Sequence, residues 1–187
     1  EQVLQGVGLA SEQASRYPHM FSGGQRQRLA IARALILQPE LIVADEAVSA
    51  LDVSVQAQIL NLVHKLKADH GMAWLFIAHD IIVVRAIADR VIVLYAGRVM
   101  ETGRVSGVLQ KPLHPYTREL LDSAPGTAQL SGKTDVRLSE TDVDSDVLQQ
   151  GCVYRMRCPL ADEQCTTAVP AMKTSADRSV ACFHVET

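Results

Sequence analysis

The sequence predicts an α/β fold built around a parallel sheet, followed by a small cysteine-rich C-terminal extension. Two short apolar runs, 41–44 and 73–78, each end in acidic or histidine residues, which is typical of parallel strands that stop at a ligand-binding edge. The stretch between them has apolar residues at helical spacing, and strands that alternate with helices indicate an α/β fold. All four cysteines follow residue 151, which marks the C-terminal segment as a separate unit.

The composition is that of a globular protein with a sizeable core. Of 187 residues, 48% are hydrophobic and 21% are charged. The net charge of −3 favours neither nucleic acid nor an anionic membrane as the main partner. No apolar run is long enough to span a membrane, and the first residues lack the pattern of a signal peptide. The chain starts without Met inside a helix-like pattern, so we expect a fragment of a cytosolic protein.

The first half predicts a helix and then a strand. Residues 1–20 indicate helix and loop. The Ala- and Leu-rich run Ser22–Leu37 predicts a helix with Ser22 as its N-cap, which Pro39 ends. The run "LIVA" that follows, ending in Asp45 and Glu46, predicts a buried parallel strand.

Helices and strands continue to alternate after this strand. Asp52 is placed to cap a helix that Gly71 ends, and "AWLFIA" predicts a second buried strand that closes on His79. A helix at about Ile81–Ala88 follows. In the helix predicted between Asp52 and Gly71, the apolar residues that recur at helical spacing are Val55, Ile59, Leu62, Val63 and Leu66.

The remaining elements are shorter. "RVIVLYAGRVMETG", 90–103, predicts a hairpin that turns at Ala96 and Gly97. "HPYTRELLDSA" predicts a short helix, and the Gly-, Ser-, Thr- and Asp-rich residues 125–148 indicate a linker.

The loop "FSGGQRQR" has the features of a phosphate-binding helix terminus. Gly23 and Gly24 let a ligand approach the backbone, and the first free N–H groups of the helix point outward with the positive end of its dipole. The hydroxyl of Ser22 adds one donor. The alternative is a glycine-rich turn with an ordinary N-cap.

Carboxylates and a histidine follow the two predicted strands. Asp45 at the strand end could hold Mg²⁺, and Glu46 could orient or deprotonate an attacking water. His79 ends the neighbouring strand and could reach the same phosphate. Each of these residues has a structural alternative. Asp45 and Glu46 could simply mark the point where a strand meets a loop, and His79 could be a structural histidine. Asp52 is either a simple N-cap or a polar link beside the site.

The order of these motifs resembles the nucleotide-binding subunits of ATP-binding cassette (ABC) transporters over residues 12–123. "FSGGQRQR" is similar to the signature motif, with Phe21 in place of the commoner Leu. "LIVADE" is similar to Walker B, "SALD" to the D-loop and "AHD" to the switch-histidine region. The resemblance implies the C-terminal half of an ABC-type P-loop NTPase domain.

The resemblance also implies roles for the residues of these motifs. In that family ATP lies between two subunits in a head-to-tail dimer. Asp45 would help to hold Mg²⁺, Glu46 would be the catalytic carboxylate and His79 would contact the γ-phosphate. Asp52 would lie at the dimer seam. The γ-phosphate of ATP bound to the other subunit would be held by Ser22, Gly23, Gly24 and Gln25.

The chain departs from the family at two points. Ala47 follows the catalytic glutamate where the family usually has Pro, which we expect to loosen the turn that aims Glu46. A P-loop of the form G-x-x-x-x-G-K-[ST] is missing. The nearest match, "GTAQLSGKT" at 126–134, has five residues between its glycines and follows Walker B, so we interpret it as linker.

Two further motifs resemble the oligopeptide, dipeptide and nickel importers of this family: "RYPHMFSGGQRQR" and "KPLHPYT". This implies permease subunits as partners, a substrate-binding protein as an indirect partner, and a place at the cytoplasmic face of the inner membrane. One alternative is a soluble ABC ATPase of DNA repair or translation. Another is an inactive truncated or regulatory module. The predicted domains are 1–123, a partial nucleotide-binding domain, 124–148, a linker, and 149–187, a metal-binding extension.

The cysteine-rich extension predicts a metal site. Cytosolic thiols stay reduced, and so small a unit would gain from a metal. Its four cysteines suit Zn²⁺ or an iron–sulfur cluster. The absence of short C-x2–4-C pairs and the proline after Cys158 favour the cluster, and the family resemblance implies 4Fe–4S. Unligated thiols or disulfides are the third alternative. The candidate ligands are Cys152, Cys158, Cys165 and Cys182.

Overall fold

The fold is described by a computed structural model that covers residues 1–124 and 150–185. The chain forms two compact units, Glu1–Ile87 and Ala88–Thr187. The predicted linker, 124–148, lies outside the described residues apart from Ala124, and so does the stretch "GTAQLSGKT" within it. In the part of the chain that is described, no helix has the length and apolar character needed to cross a membrane.

The first unit is a β-α-β arrangement preceded by helices. Helix α1 and two short 3₁₀ helices lead into α2 and strand β1. Helix α3 then connects β1 to β2, and α4 closes the unit. The bounds are Gln2–Gly6 (α1), Ser11–Ser15 and Pro18–Met20 (3₁₀ helices), Gly23–Leu35 (α2), Leu41–Asp45 (β1), Val53–His70 (α3), Ala73–Ile77 (β2) and Ile81–Ile87 (α4).

Strands β1 and β2 pair in parallel, as the sequence predicts. Leu41 lies opposite Ala73, and the register continues to Asp45 opposite Ile77. A crossover helix is needed between parallel neighbours, and α3 supplies it. Both strands therefore end at the same edge, where Asp45 and Glu46 meet the residues that follow Ile77.

The prediction that both strands are buried is wrong for one face of the sheet. Successive side chains of a strand point to opposite faces. Ile42 and Ala44 are buried, whereas Leu41, Val43, Leu75 and Ile77 are about half exposed, at 48–57%. Among the described residues nothing covers this second face, so apolar composition alone does not make these strands buried.

The second unit is built on an antiparallel sheet of four strands in the order β3-β4-β6-β5. Strands β3 and β4 form the predicted hairpin, and Ala96 and Gly97 both have positive φ, at 47° and 75°, as a two-residue type I′ turn requires. The bounds are Arg90–Tyr95 (β3), Arg98–Arg104 (β4), Val105–Gln110 (α5), Pro115–Asp122 (α6), Glu163–Thr167 (α7), Lys173–Ser175 (β5) and Arg178–Val180 (β6).

The cysteine-rich segment shares this sheet with the hairpin. Strand β6 pairs with β4 through Val180 opposite Glu101, and β5 pairs with β6. Both strands in the described part of this segment, 150–185, therefore belong to the sheet of the hairpin. The predicted partition into 1–123, 124–148 and 149–187 stays a prediction, but the compact units divide the chain at another place, after Ile87.

A buried ion pair ties β4, the "KPLHPYT" segment and β6 together. The side chain of Glu101 is fully buried and accepts hydrogen bonds from the Nε of Arg178 at 3.0 Å and from the backbone N–H groups of Leu113 and His114. Arg178 also donates to the carbonyl of Lys111. The motif thus has a structural role, since its backbone satisfies a buried carboxylate.

The ring of His114 makes the stability of this unit depend on pH. His114 is buried, and its Nδ1 accepts the backbone N–H of Tyr116 as the N-cap of α6. Burial lowers the pKa of His114 from 6.5 to about 4, against the opposing effect of Glu101. Between these values the unfolded chain binds a proton and the folded chain does not. The free energy of unfolding should therefore fall by up to roughly 3 kcal/mol as the pH drops from 6.5 to 4.

Urea unfolding of the chain across this pH range measures the effect. The control is His114→Asn, which keeps a cap acceptor but cannot titrate, and it should lose much of the slope. An unchanged slope in this variant would contradict the assignment to His114.

Candidate functional site

The signature loop begins helix α2 with a reciprocal cap. The Oγ of Ser22 accepts the backbone N–H of Gln25 at 3.3 Å, and the Oε1 of Gln25 accepts the backbone N–H of Ser22 at 3.0 Å. The predicted N-cap is confirmed. Ser22 is exposed and its hydroxyl hydrogen remains free to donate, so the cap leaves a donor beside the first N–H groups of the helix.

The two glycines of the loop differ in what they touch. A Cβ on Gly24 would lie 2.5 Å from Cγ1 of Val55, whereas one on Gly23 would lie 3.5 Å from Cδ2 of Leu51. The sequence suggests ligand approach as the role of both glycines. The structure shows that Gly24 is needed first for close packing of α2 on α3, which also brings the signature loop beside the "SALD" segment.

Replacing Gly24 by alanine should destabilise the protein by about 1–2 kcal/mol. Overpacking against a β-branched side chain costs about 1–3 kcal/mol, and the better helix propensity of Ala offsets up to about 1 kcal/mol. Gly23→Ala, which meets only an ordinary contact, is the matched control and should be close to neutral. Urea unfolding measures both.

A second substitution tests the cause of this destabilisation. Val55→Ala should cost less stability in the Gly24→Ala background than alone, because it removes the clashing methyl group. Additive effects would rule out the clash as the cause.

Glu46 and His79 meet at the common edge of the two strands. The Nδ1 of His79 lies 3.3 Å from the Oε1 of Glu46. Parallel pairing brings them together, and the backbone N–H of Glu46 extends the ladder by donating to the carbonyl of Ile77 at 3.0 Å. Both side chains are well exposed, at 59% for Glu46 and 70% for His79. They are therefore accessible to a ligand at the edge of the sheet.

The turn that aims Glu46 is held without a proline. Glu46 has a φ of 44°, in the left-handed region, and its carbonyl accepts both the backbone N–H and the Oγ of Ser49, at 3.2 and 3.0 Å. A proline at position 47 would favour extended conformations of the preceding residue. Ala47 is thus compatible with the observed backbone. The turn that a missing proline is expected to loosen is restrained by the two hydrogen bonds from Ser49.

The other predicted acids also lie at exposed ends of elements. Asp45 is the last residue of β1 and is exposed. Asp52 is the N-cap residue of α3, but its side chain makes no capping hydrogen bond, so its carboxylate does not have the simple cap role. Asp80, which was not among the predicted site residues, accepts the backbone N–H of Ile82 at 2.7 Å and so fixes the start of α4 beside His79.

The site residues of this unit form two separate groups. Glu46 and His79 line a small cleft together with Ser49, Gln56 and Asp80. None of Ser22–Gln25, all of which are described, lines it. The signature loop therefore does not line the cleft at the carboxylate edge.

The four cysteines of the second unit are free thiols that lie near one another. The backbone N–H of Cys152 donates to the carbonyl of Cys165 at 2.8 Å, and Cys158 packs against the buried cluster that these two cysteines form with Tyr154. Burial raises the pKa of the Cys158 thiol, and the neighbouring thiols Cys182, Cys152 and Cys165 raise it further. This pattern places Cys158 within electrostatic reach of all three.

Gly151 permits this arrangement. It has a φ of 74°, and a Cβ there would lie 2.4 Å from the carbonyl oxygen of Cys165. Only glycine fits such a close approach with this backbone.

Side chains outside the cysteines anchor the segment, and no motif in the sequence indicates them. Glu119 accepts hydrogen bonds from the hydroxyl of Tyr154 and from the guanidinium of Arg157. Tyr154 also packs against Tyr95 and Tyr116, at ring-centroid distances of 5.3 and 5.5 Å. These contacts hold the loop between Cys152 and Cys158, and no spacing rule would have predicted them.

Asp162 and His184 lie beside Cys165 and were missed as well. The Nε2 of His184 is 3.6 Å from the Sγ of Cys165 and 3.5 Å from the Oδ2 of Asp162. The one available signal was the histidine two residues after Cys182. Backbone N–H groups, chiefly that of Cys165, lower the pKa of Asp162.

Two family models match the chain. Residues 1–49 match one described as ABC transporter, and residues 100–165 match one described as the C-terminal region of oligopeptide/dipeptide transporters. The first match includes the signature and Walker B motifs, and the second includes "KPLHPYT" and three of the four cysteines.

Curated proteins with closely similar sequences have names of the same kind. The chain is 46% identical to the di/tripeptide transport ATP-binding protein DppF of Pseudomonas aeruginosa, over 100% of the chain and 58% of that protein. It is 47% identical to the oligopeptide transport ATP-binding protein OppF of Escherichia coli, over 96% of the chain and 54% of that protein. The chain thus spans little more than half the length of these relatives.

Solved structures of ATP-binding cassettes share the fold. The ADP conformation of MJ1267, an ATP-binding cassette of an ABC transporter, matches with a TM-score of 0.56 and 30% identity, over 64% of this chain and 46% of that one. CbiO1 from Clostridium perfringens, part of the ABC transporter complex cbiONQ, matches with a TM-score of 0.55 and 28% identity, over 59% and 43%. The predicted ABC-type α/β fold and the family resemblance are confirmed.

Proposed function

The chain belongs to the ABC transporter family, within its oligopeptide/dipeptide group, and we propose that it forms the C-terminal half of an ATP-binding subunit that energises peptide uptake. The observation that carries the proposal is the contact between Glu46 and His79 at the end of two parallel strands. In such a pair the carboxylate can orient a water while the neighbouring imidazole contacts a phosphate. The 54–58% coverage of the relatives supports a longer parent protein.

In this proposal Glu46 is the catalytic carboxylate and His79 contacts the γ-phosphate. Asp45, exposed at the end of β1, offers the oxygen ligand that Mg²⁺ prefers and would help to hold the ion of Mg–ATP. Mg²⁺ would neutralise phosphate charge there. The P-loop that grips the phosphates would come from the N-terminal half of the parent.

The signature loop would serve the ATP of a second subunit. Ser22, Gly23, Gly24 and Gln25 offer a hydroxyl, an amide group and the first N–H groups of a 13-residue helix, which together suit a phosphate. Their absence from the cleft lined by Glu46 supports a head-to-tail dimer in which each site combines two subunits. Asp52, whose carboxylate is not used for capping, would lie at the seam of that dimer.

The remaining partners follow from the family. We propose that the parent protein docks on transmembrane permease subunits at the cytoplasmic face of the membrane, and that a substrate-binding protein delivers the peptide to those permeases. Nucleic acid has no part in this function, in keeping with the net charge of −3.

We further propose that Cys152, Cys158, Cys165 and Cys182 hold a 4Fe–4S cluster in a metal-binding extension. The donor set fits, because the four thiols lie near one another, three of them are buried, and the loops that carry them are anchored by Glu119 and Gly151. When bound, the cluster would supply a structural cross-link or a redox-sensitive centre. Anaerobic purification should give brown protein with about four irons per chain.

A growth experiment tests the proposed transport function. A strain that needs one amino acid and lacks the parent protein should not grow when that amino acid is offered only within a di- or tripeptide. The parent gene should restore growth, whereas its Glu46→Gln variant should not. Normal growth of the deletion strain on every peptide tested, with no second importer encoded, would contradict peptide uptake.

A further inference from the structure

We propose that Asp162, Cys165 and His184 form a mononuclear site for Zn²⁺. One ligand atom from each residue lies within 4.8 Å of the other two, and the three donors are of the types that zinc binds. The inference goes beyond the proposed transport function, since it concerns a metal that ATP hydrolysis does not need.

The distances match a tetrahedral ion better than a hydrogen-bond network. With Zn–S of about 2.3 Å, Zn–N of about 2.05 Å and Zn–O of about 2.1 Å, tetrahedral angles separate S from N by about 3.6 Å and N from O by about 3.4 Å. The observed separations are 3.6 Å from Cys165 to His184 and 3.5 Å from His184 to Asp162. As hydrogen bonds both contacts would be weak, because one N–H would be shared between two acceptors and 3.5 Å is long for an N–H···O bond.

The backbone around each ligand is held in place. Asp162 accepts the N–H of Cys165 through Oδ1 at 3.0 Å, which leaves Oδ2 directed at His184. The Nζ of Lys173 donates to the carbonyls of Phe183 and Val185, at 3.0 and 3.1 Å, and so clamps the residues on both sides of His184. Such support reduces the ordering cost of binding a metal.

Charge and access also suit a divalent ion. A Cys165 thiolate and an Asp162 carboxylate together balance Zn²⁺, and the neutral imidazole of His184 adds no charge. Binding releases the thiol proton of Cys165 to solvent. Cys165 is buried, whereas the side chains of His184 and Asp162 are 30% and 48% exposed, which leaves a path from solvent and room for water as the fourth ligand.

The site shares one ligand with the proposed iron–sulfur cluster. Cys165 cannot serve a cluster and a zinc ion at the same time, so the two forms exclude each other. Protein without the cluster would hold zinc through Cys165, while Cys152, Cys158 and Cys182 stay free.

Metal titration of the whole chain tests the proposal. Metal-free protein, prepared anaerobically, is titrated with Zn²⁺ against a chromogenic chelator and with Co²⁺, whose sulfur-to-cobalt charge-transfer band reports a thiolate ligand. The unmodified chain should bind one ion. His184→Ala and Asp162→Asn should each weaken zinc binding by at least about 100-fold. Loss of a residue that only supports a ligand already costs about 10–100-fold in metal affinity, and loss of a direct ligand should cost at least as much. Asn keeps the cap acceptor, so this variant should remain folded, which far-UV circular dichroism checks.

Cysteine variants separate this site from the cluster. Cys158→Ser should bind zinc as the unmodified chain does but form no cluster, Cys165→Ser should lose both, and His184→Ala should still form the cluster. Zinc binding that survives His184→Ala but is lost in Cys158→Ser would overturn the proposal, as would the lack of a one-to-one complex. A chain that binds zinc as expected but never forms a cluster would refute the cluster alone.

Discussion

Replacing Glu46 by glutamine should lower ATP hydrolysis by the parent protein by about 10²–10⁴-fold, the usual contribution of a general base. Gln keeps the size of the side chain and can still accept a hydrogen bond from His79, 3.3 Å away in the native pair. ATP binding should persist, because the carboxylate acts on water and not on the nucleotide. The variant should therefore accumulate as the ATP-bound dimer.

Phosphate release and size-exclusion chromatography with Mg–ATP measure both outcomes. Ser49→Ala is the matched control for the turn, because it removes one hydrogen bond to the Glu46 carbonyl and leaves the carboxylate in place. Ser49→Ala should lower the rate of ATP hydrolysis much less than Glu46→Gln does. If the Glu46→Gln variant turned over ATP at close to the normal rate, Glu46 would not be the catalytic carboxylate.

Arg178→Ala should destabilise the second unit by about 3–5 kcal/mol, the usual result of breaking a buried ion pair. The substitution leaves the fully buried Glu101 with only the backbone N–H groups of Leu113 and His114. Such a loss is a large share of the stability of an ordinary domain. The proposed iron–sulfur cluster should weaken with it, because β6 leads to Cys182, one of its four proposed ligands.

The exposed ion pair between Arg104 and Asp177 provides the control on the same sheet. Its side chains are 72% and 50% exposed, so Arg104→Ala should cost no more than about 1 kcal/mol. Urea unfolding compares the two variants. Equal effects would show that the buried carboxylate does not depend on its arginine.

Much of the local structure could be predicted because it depends on local chemistry. Ser22 with Gln25 specifies a helix cap, Ala96–Gly97 specifies a two-residue turn, and Gly71 ends α3 with a φ of 66°. These signals lie within a few residues of one another along the chain. The pairing of Glu46 with His79 also follows, because parallel strands end at one edge.

Contacts between distant segments could not be predicted in this way. The arginine that pairs with Glu101 lies 77 residues away, at Arg178, and the one that pairs with Glu119 lies 38 residues away, at Arg157. Composition suggests a separate cysteine-rich unit, whereas β6 joins the hairpin sheet. The clash that makes Gly24 necessary depends on how α2 packs on α3, which periodicity does not specify.

Phosphate release by this chain alone, compared with its full-length parent, tests the central claim that the chain supplies half of a composite ATP site. With Mg–ATP the parent should hydrolyse ATP, and residues 1–187 should not differ from buffer, because the P-loop supplies most of the grip on the phosphates. Turnover by the isolated chain that disappears in its Glu46→Gln variant would contradict the claim and would show that these residues form a complete site.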